Sequence, residues 1–124
     1  MKGILQINLD DVSVMKLAMM STHEKIICHH VTLIFGVKDD SDVVVHNVGK
    51  TVNFKGIKVC DSELAQAIVC DSFDIDILGN RTPHVTISTE VGVKPMVSNG
   101  IIKNPTTSYV VDIDLSGEFV FANL

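Results

Sequence analysis

Two stretches of this sequence share a four-residue core: His30-Val31-Thr32-Leu33 and His84-Val85-Thr86-Ile87 both read His-Val-Thr-aliphatic. Each lies in a run rich in β-branched and apolar residues, a composition that favours strands. In a strand, residues i and i+2 share a face about 6.5–7 Å apart. His30 therefore projects with Thr32, and His84 with Thr86, while Val31, Leu33, Val85 and Ile87 turn toward a core. Each strand offers one imidazole and one hydroxyl to a common cleft.

Two imidazoles and two hydroxyls meet the needs of phosphodiester cleavage. The nucleophile must lose a proton and the leaving oxygen must gain one. Histidine titrates near neutrality, so one ring can act as base and the other as acid. Threonine hydroxyls can hydrogen-bond non-bridging phosphate oxygens and hold the phosphorus between the rings. The layout needs no metal. A single His-x-Thr would read as a buried, backbone-satisfied histidine, but two copies with matching flanks go beyond that, although a duplicated motif can outlive its activity. A metal site is the weaker alternative. Simple alternation sends His29 and His30 to opposite faces, with His29 behind the site, and no carboxylate or thiolate accompanies either motif at ligand spacing.

With their surroundings, HHVTLIFG and then PHVTIST followed by GVKPMVSNG, the paired motifs resemble the two-histidine (2H) phosphoesterase superfamily. That superfamily includes RNA-end cyclic phosphodiesterases, the phosphodiesterase domain of some tRNA ligases, and phage enzymes that destroy cyclic oligonucleotide signals. The likeness is tightest to the RNA-repair-related and phage branches. It implies His30 and His84 as the acid–base pair, Thr32 and Thr86 as phosphate grips, and no cofactor. It also implies a two-lobed α+β fold, with pseudo-twofold antiparallel sheets and one or two helices. Lys94, in the loop after the second motif, is a candidate for substrate binding by neutralising phosphate charge. The interval between the motifs is short for the superfamily, which implies a trimmed lobe.

The elements that must position these residues follow from pattern and punctuation. Gly3–Leu9 is a short strand, and Asp10-Asp11-Val12-Ser13 opens a helix reaching Met20. Lys25–Phe35 is a buried strand closed by Gly36. Val43–Val48 and Thr51–Cys60 read as strands joined at Gly49. In Asp61–Cys70 the run Asp61-Ser62-Glu63 could cap a helix over LAQAIV, but the alternation of Ala65, Ala67 and Val69 favours a strand. Ser72–Leu78 alternates strictly, Gly79-Asn80-Arg81 turns, and Pro83–Thr89 carries the second motif. Gly92–Gly100 reads as a loop. Tyr109–Leu115 and Glu118–Phe121 read as two strands turned at Ser116-Gly117. His23 is placed in a polar surface turn, His46 on a strand, and Arg81 in a turn.

The 124 residues suit one domain spanning 1–124. Without Trp and with one Tyr, the core must be largely aliphatic. The formal charge is −5 with 10 Lys and Arg, which suits a nucleotide or short oligonucleotide better than long nucleic acid, whose binding rests on many Lys and Arg contacts to phosphate. Cys28, Cys60 and Cys70 form no CxxC pair and read as reduced, buried thiols. The apolar start breaks at Asp10, so neither a signal peptide nor a membrane span is expected, and the cytoplasm (a host's, if the chain is viral) is the expected compartment. The expectation is a metal-independent phosphodiesterase acting on a cyclic phosphate or cyclic oligonucleotide. An RNA-end 2′,3′-cyclic phosphodiesterase and a non-catalytic nucleotide-binding module are the alternatives.

Overall fold

The structure, a computed structural model, describes residues 1–75, 79 and 81–124. Strand β1 (Lys2–Leu9) leads into helix α1 (Asp11–Ala18), a two-residue strand β2 (Lys25–Ile26) and strand β3 (His30–Lys38). Helix α2 (Asp42–Asn47) precedes strands β4 (Thr51–Asp61), β5 (Ala65–Asp71) and β6 (His84–Thr89). A 3₁₀ turn over Pro95–Val97 runs into the short helix α3 (Ser98–Ile101), and the long strand β7 (Thr107–Asn123) ends the chain. No described helix is long and apolar enough to cross a membrane.

All strand pairs are antiparallel, in the order β6-β3-β1-β7-β4-β5, and β5 returns to pair with β6. The α+β content agrees with the sequence, but the two-lobed expectation does not hold. Because β6 bonds β3 on one edge and β5 on the other, the strands close into one six-stranded, barrel-like sheet. Closure leaves few open edges for pairing with another chain. The core holds Leu5, Ile7, Val31, Leu33, Val52, Val59, Ile68, Val85, Ile87, Phe54 and Phe119. It is aliphatic with a few phenylalanines, as the composition requires.

Strand β1 shows how alternation works here. Gly3, Leu5 and Ile7 are buried, while Ile4, Gln6 and Asn8 face outward. Helix α1 starts where Asp10 accepts a hydrogen bond from Ser13 N at 2.9 Å, a side-chain N-cap. Ser116 ties that cap to β7, donating its hydroxyl to Asp10 and its N–H to Ser13 Oγ. The Ser116 bond leads the causes that hold the Asp10 carboxyl below its ordinary range.

Several sequence expectations are corrected. Val43–Val48 is not a strand: Asp42–Asn47 is helical, so His46 sits on a helix. Ser41 stands at the N-cap position and Asp42 occupies the first turn, and these end signals outweigh the β-propensity of three valines. The proposed Ser116-Gly117 turn is absent, since β7 runs unbroken through it. Gly117 is needed for close approach instead. A Cβ there would collide with the Asn8 carbonyl and the Ile7 side chain on β1. Gly92–Gly100 is not all loop, because it contains the 3₁₀ turn and the start of α3. Of the expected strand Ser72–Leu78, residues 72–75 lie outside any strand, with Phe73 stacked on Phe54 at 4.9 Å. Its residues 76–78, and Asn80 of the expected turn, lie outside the described residues. The preference for a strand over Asp61–Cys70 holds as β5, although its first four residues are all buried rather than alternating.

His23 is not a surface residue. Its ring bridges Glu90 Oε2 at 2.7 Å and Asp61 Oδ1 at 3.0 Å, with the side chain 9% exposed. Burial alone would lower its pKa, but the hydrogen bonds and charges of Glu90 and Asp61 outweigh burial and raise it. The bridge clamps the link before β2 to the ends of β4 and β6. The cysteines are free and buried. Burial pushes the Cys28 thiol up to about 11, and raises Cys60 and Cys70 as well.

Two predictions follow from these contacts. Gly117→Ala forces β1 and β7 apart and should destabilise the fold by about 1–3 kcal/mol in urea unfolding. A variant as stable as the parent would mean that Gly117 is not a close-approach site. Protonated His23 gains its carboxylates only on folding, so its folded pKa is raised. Its contribution is fully present below the unfolded value of about 6.5 and is lost as pH rises through the folded value. The Tm deficit of His23→Gln should therefore be larger at pH 6 than at pH 8.5. Equal deficits would show that the pairing is not charge-assisted.

Candidate functional site

The two motif strands are direct neighbours. β3 pairs antiparallel with β6 at Val31↔Val85, and both valines are fully buried. That register is a local twofold, setting His30 across from Thr86 and Thr32 across from His84. His30 and His84 then stand on a diagonal, where backbone positions are about 7–8 Å apart, a spacing that leaves room for a phosphate between the rings. All four side chains line one cavity of about 290 Å³ on the outer face of the sheet. The structure thus brings together the four residues singled out from the sequence.

Lys94 is not with them. It is exposed at the N-cap of the 3₁₀ turn and does not line the cavity. The cation in the cavity wall is Arg81, whose guanidinium lies 5.8 Å from the centroid of the Phe35 ring, itself part of the wall. Arg81 reads as a turn residue in the sequence, and its place three residues before His84 is the only signal it carries.

His29 does not pack behind the site. It is exposed and lines the same cavity as His30. The cause is Cys28, whose φ of 52° lies in the left-handed region, uncommon for a residue with a side chain. Ile27 N and Cys28 N still bond Ile87 O and Thr86 O, so β2 and β3 follow the same edge of β6 with an irregularity between them. Alternation slips there. Cys28 joins the core, and its Sγ donates to Ile87 O at 3.3 Å.

Ser98 completes the His84 side. Ile101 anchors α3 against Cys60 and Ala65, and one turn earlier Ser98, 1% exposed, reaches the second motif. Its Oγ lies 3.1 Å from His84 Nε2 and 2.7 Å from Thr86 Oγ1. His84 Nδ1 is 2.9 Å from Thr82 O. A carbonyl only accepts, so Nδ1 carries the proton and the neutral ring keeps its lone pair on Nε2. In that state Thr86 donates to Ser98, which donates to Nε2. When Nε2 is protonated the chain reverses, and Thr86 donates to Pro95 O, 3.3 Å away. Ser98 lies in a segment that the sequence reads as loop, and no residue pattern marks it.

Among the described residues the wall also holds Ile4, Ile27, Pro95, Met96 and Asn99, and no carboxylate. In a chain of formal charge −5, this cavity offers one guanidinium and three imidazoles. Burial, then neighbouring His29 and His84, lower the His30 pKa. Burial also lowers that of His84, with Arg81 adding to it and the bonds to Thr82 and Asn99 opposing it. Both rings are therefore mostly neutral at pH 7 in the free protein. Among the described residues, no group of His, Cys, Asp and Glu has the geometry to hold a metal ion.

An anion entering this cavity should draw protons onto the His30 and His84 rings, because their free-state values lie below the ordinary 6.5. Sulfate, which does not itself titrate in this range, should bind more tightly as pH falls from 8 to 5.5. The gain is up to about tenfold per pH unit for each proton taken up. Calorimetry in buffers of different ionisation enthalpy reads the uptake, and pH-independent binding would contradict it.

No protein-family model matches this chain, and neither the curated proteins nor the solved structures contain a match.

Proposed function

We propose that this chain is a metal-independent phosphodiesterase that cleaves a cyclic phosphate or a small cyclic oligonucleotide, with His30 and His84 as its acid–base pair. The observation that carries this reading is the antiparallel register of the two His-x-Thr motifs around one cavity, whose described lining residues include no carboxylate. Water attacks phosphorus and gives its proton to one imidazole. The other imidazole protonates the leaving oxygen as its P–O bond breaks. His84 suits the base, since the carbonyl of Thr82 fixes its lone pair on Nε2. His30 then takes up a proton with the anionic substrate and serves as the acid. Thr32, Thr86 and Arg81 hold the non-bridging oxygens.

The resemblance to two-histidine phosphoesterases supports the same chemistry, and an RNA-end 2′,3′-cyclic phosphodiesterase would use the same groups. The cavity, at the lower end of the ~300–1,000 Å³ usual for ligand sites, suits one phosphodiester and part of a nucleotide. A cytoplasmic setting belongs to the same proposal. A second reading, a non-catalytic nucleotide-binding module, is favoured by Ser98, whose hydroxyl already occupies His84 Nε2 and Thr86 Oγ1.

Chromatography of a panel of 2′,3′-cyclic mononucleotides and cyclic di- and trinucleotides separates the readings. Turnover of at least one member is expected, unchanged by EDTA. His30→Ala or His84→Ala should slow it ~10²–10⁴-fold. Thr32→Ala or Thr86→Ala should slow it roughly ten- to a hundredfold. Full turnover in either histidine variant would remove that residue from the pair. Tight binding without turnover across the panel would establish the binding module.

A further inference from the structure

The outer face that carries the motifs extends one strand further, onto β1. There Asn8 pairs with His30, and Gln6 with Thr32. Combined with the β3–β6 register, this makes two rows across three strands: Asn8–His30–Thr86 and Gln6–Thr32–His84. Strands lie about 4.8 Å apart. The two amides therefore stand about 5 Å from the first motif and about 10 Å from the second. A second cavity, of about 610 Å³, opens over them and shares Ile27, His29 and His30 with the first. Leu9 and Val14 add to its apolar lining.

We infer that this second cavity is a nucleobase subsite in which Gln6 and Asn8 read the base beside the phosphate gripped by the two motifs. The inference rests on the phosphate reading proposed above. Gln6 Nε2 donates to Asn8 Oδ1 at 2.8 Å, which orients the two amides against each other. Gln6 Oε1 and Asn8 Nδ2 make no hydrogen bond to any described residue. One unspent acceptor thus lies beside one unspent donor, the pattern that pairs with a base edge showing a donor next to an acceptor. Leu9, Val14 and Ile27 supply an apolar surface for the ring. His29, brought to this side by the irregularity at Cys28, stands at the junction of the cavities, where a ribose linking base to phosphate would pass. The substrate then lies with a nucleoside over β1 and its phosphorus over β3 and β6.

The test compares binding of AMP, GMP, CMP and UMP with ribose 5-phosphate, which has the phosphate and sugar but no base. At least one nucleotide should bind ten times more tightly than ribose 5-phosphate. Asn8→Ala and Gln6→Ala should each cut that ratio about three- to tenfold. Asn8→Asp, which keeps the shape and loses the donor, should reorder the four nucleotides, and it carries the test should an alanine variant fail to fold. Ribose 5-phosphate bound with all four nucleotides level, or a ratio and order unmoved by the variants, would overturn the base subsite alone. No binding of ribose 5-phosphate or of any of the four nucleotides by the parent would remove the phosphate reading, and the subsite with it.

Discussion

The pairing of Val31 with Val85 is the constraint on which the rest depends. Both side chains are fully buried, and a strand slipped by one residue would turn its valine to solvent and its histidine into the core. Burying a valine contributes roughly 1.5–3 kcal/mol, and an unpaired imidazole in the core would add a desolvation cost. Core packing thus fixes the register, and the register places two imidazoles and two hydroxyls on one outer face. The same pairing joins the β1-β3 side to the β5-β4 side, so closure of the sheet and assembly of the site are one event. The site is built on strands rather than loops, with Ser98 the main contribution from a connecting segment.

Electrostatics within that frame favour an anion. The chain is acidic overall, yet the described residues that line its cavity include no carboxylate and bring together Arg81, His29, His30 and His84. Burial lowers the pKa of both motif rings and so favours their neutral form in the free protein. Ser98 accommodates either state of His84, because a hydroxyl can donate to the neutral ring or accept from the protonated one. In the proposed mechanism, binding of the substrate and loading of the acid with its proton would be coupled, so that the free site need not carry the full charge that a phosphate requires.

What was legible in the sequence follows from the range of each physical signal. Strand alternation is local, so His30 with Thr32, and His84 with Thr86, could be assigned to shared faces from the residues alone. The antiparallel character was also readable. The slip at Cys28 was not, because a left-handed cysteine answers to tertiary packing, and it moved His29 to an unexpected face. Helix α2 reversed a strand expectation because end signals outweighed three β-branched residues. Gly117 looked like a turn when it marks the closeness of β1. Arg81 and Ser98 reach the cavity only through closure of the sheet and the anchoring of α3 by Ile101, and Lys94, nearer in sequence than Ser98, stays outside. His23 finds its carboxylates at positions distant in sequence, 61 and 90.

The claim that His30 and His84 act on one phosphate is tested most directly by imidazole nitrogen NMR during a titration with inorganic phosphate. The account predicts that the ring nitrogens of His30 and His84 shift together, follow one dissociation constant and saturate at one equivalent. A shift confined to one of the two rings, or separate constants for the two, would contradict it.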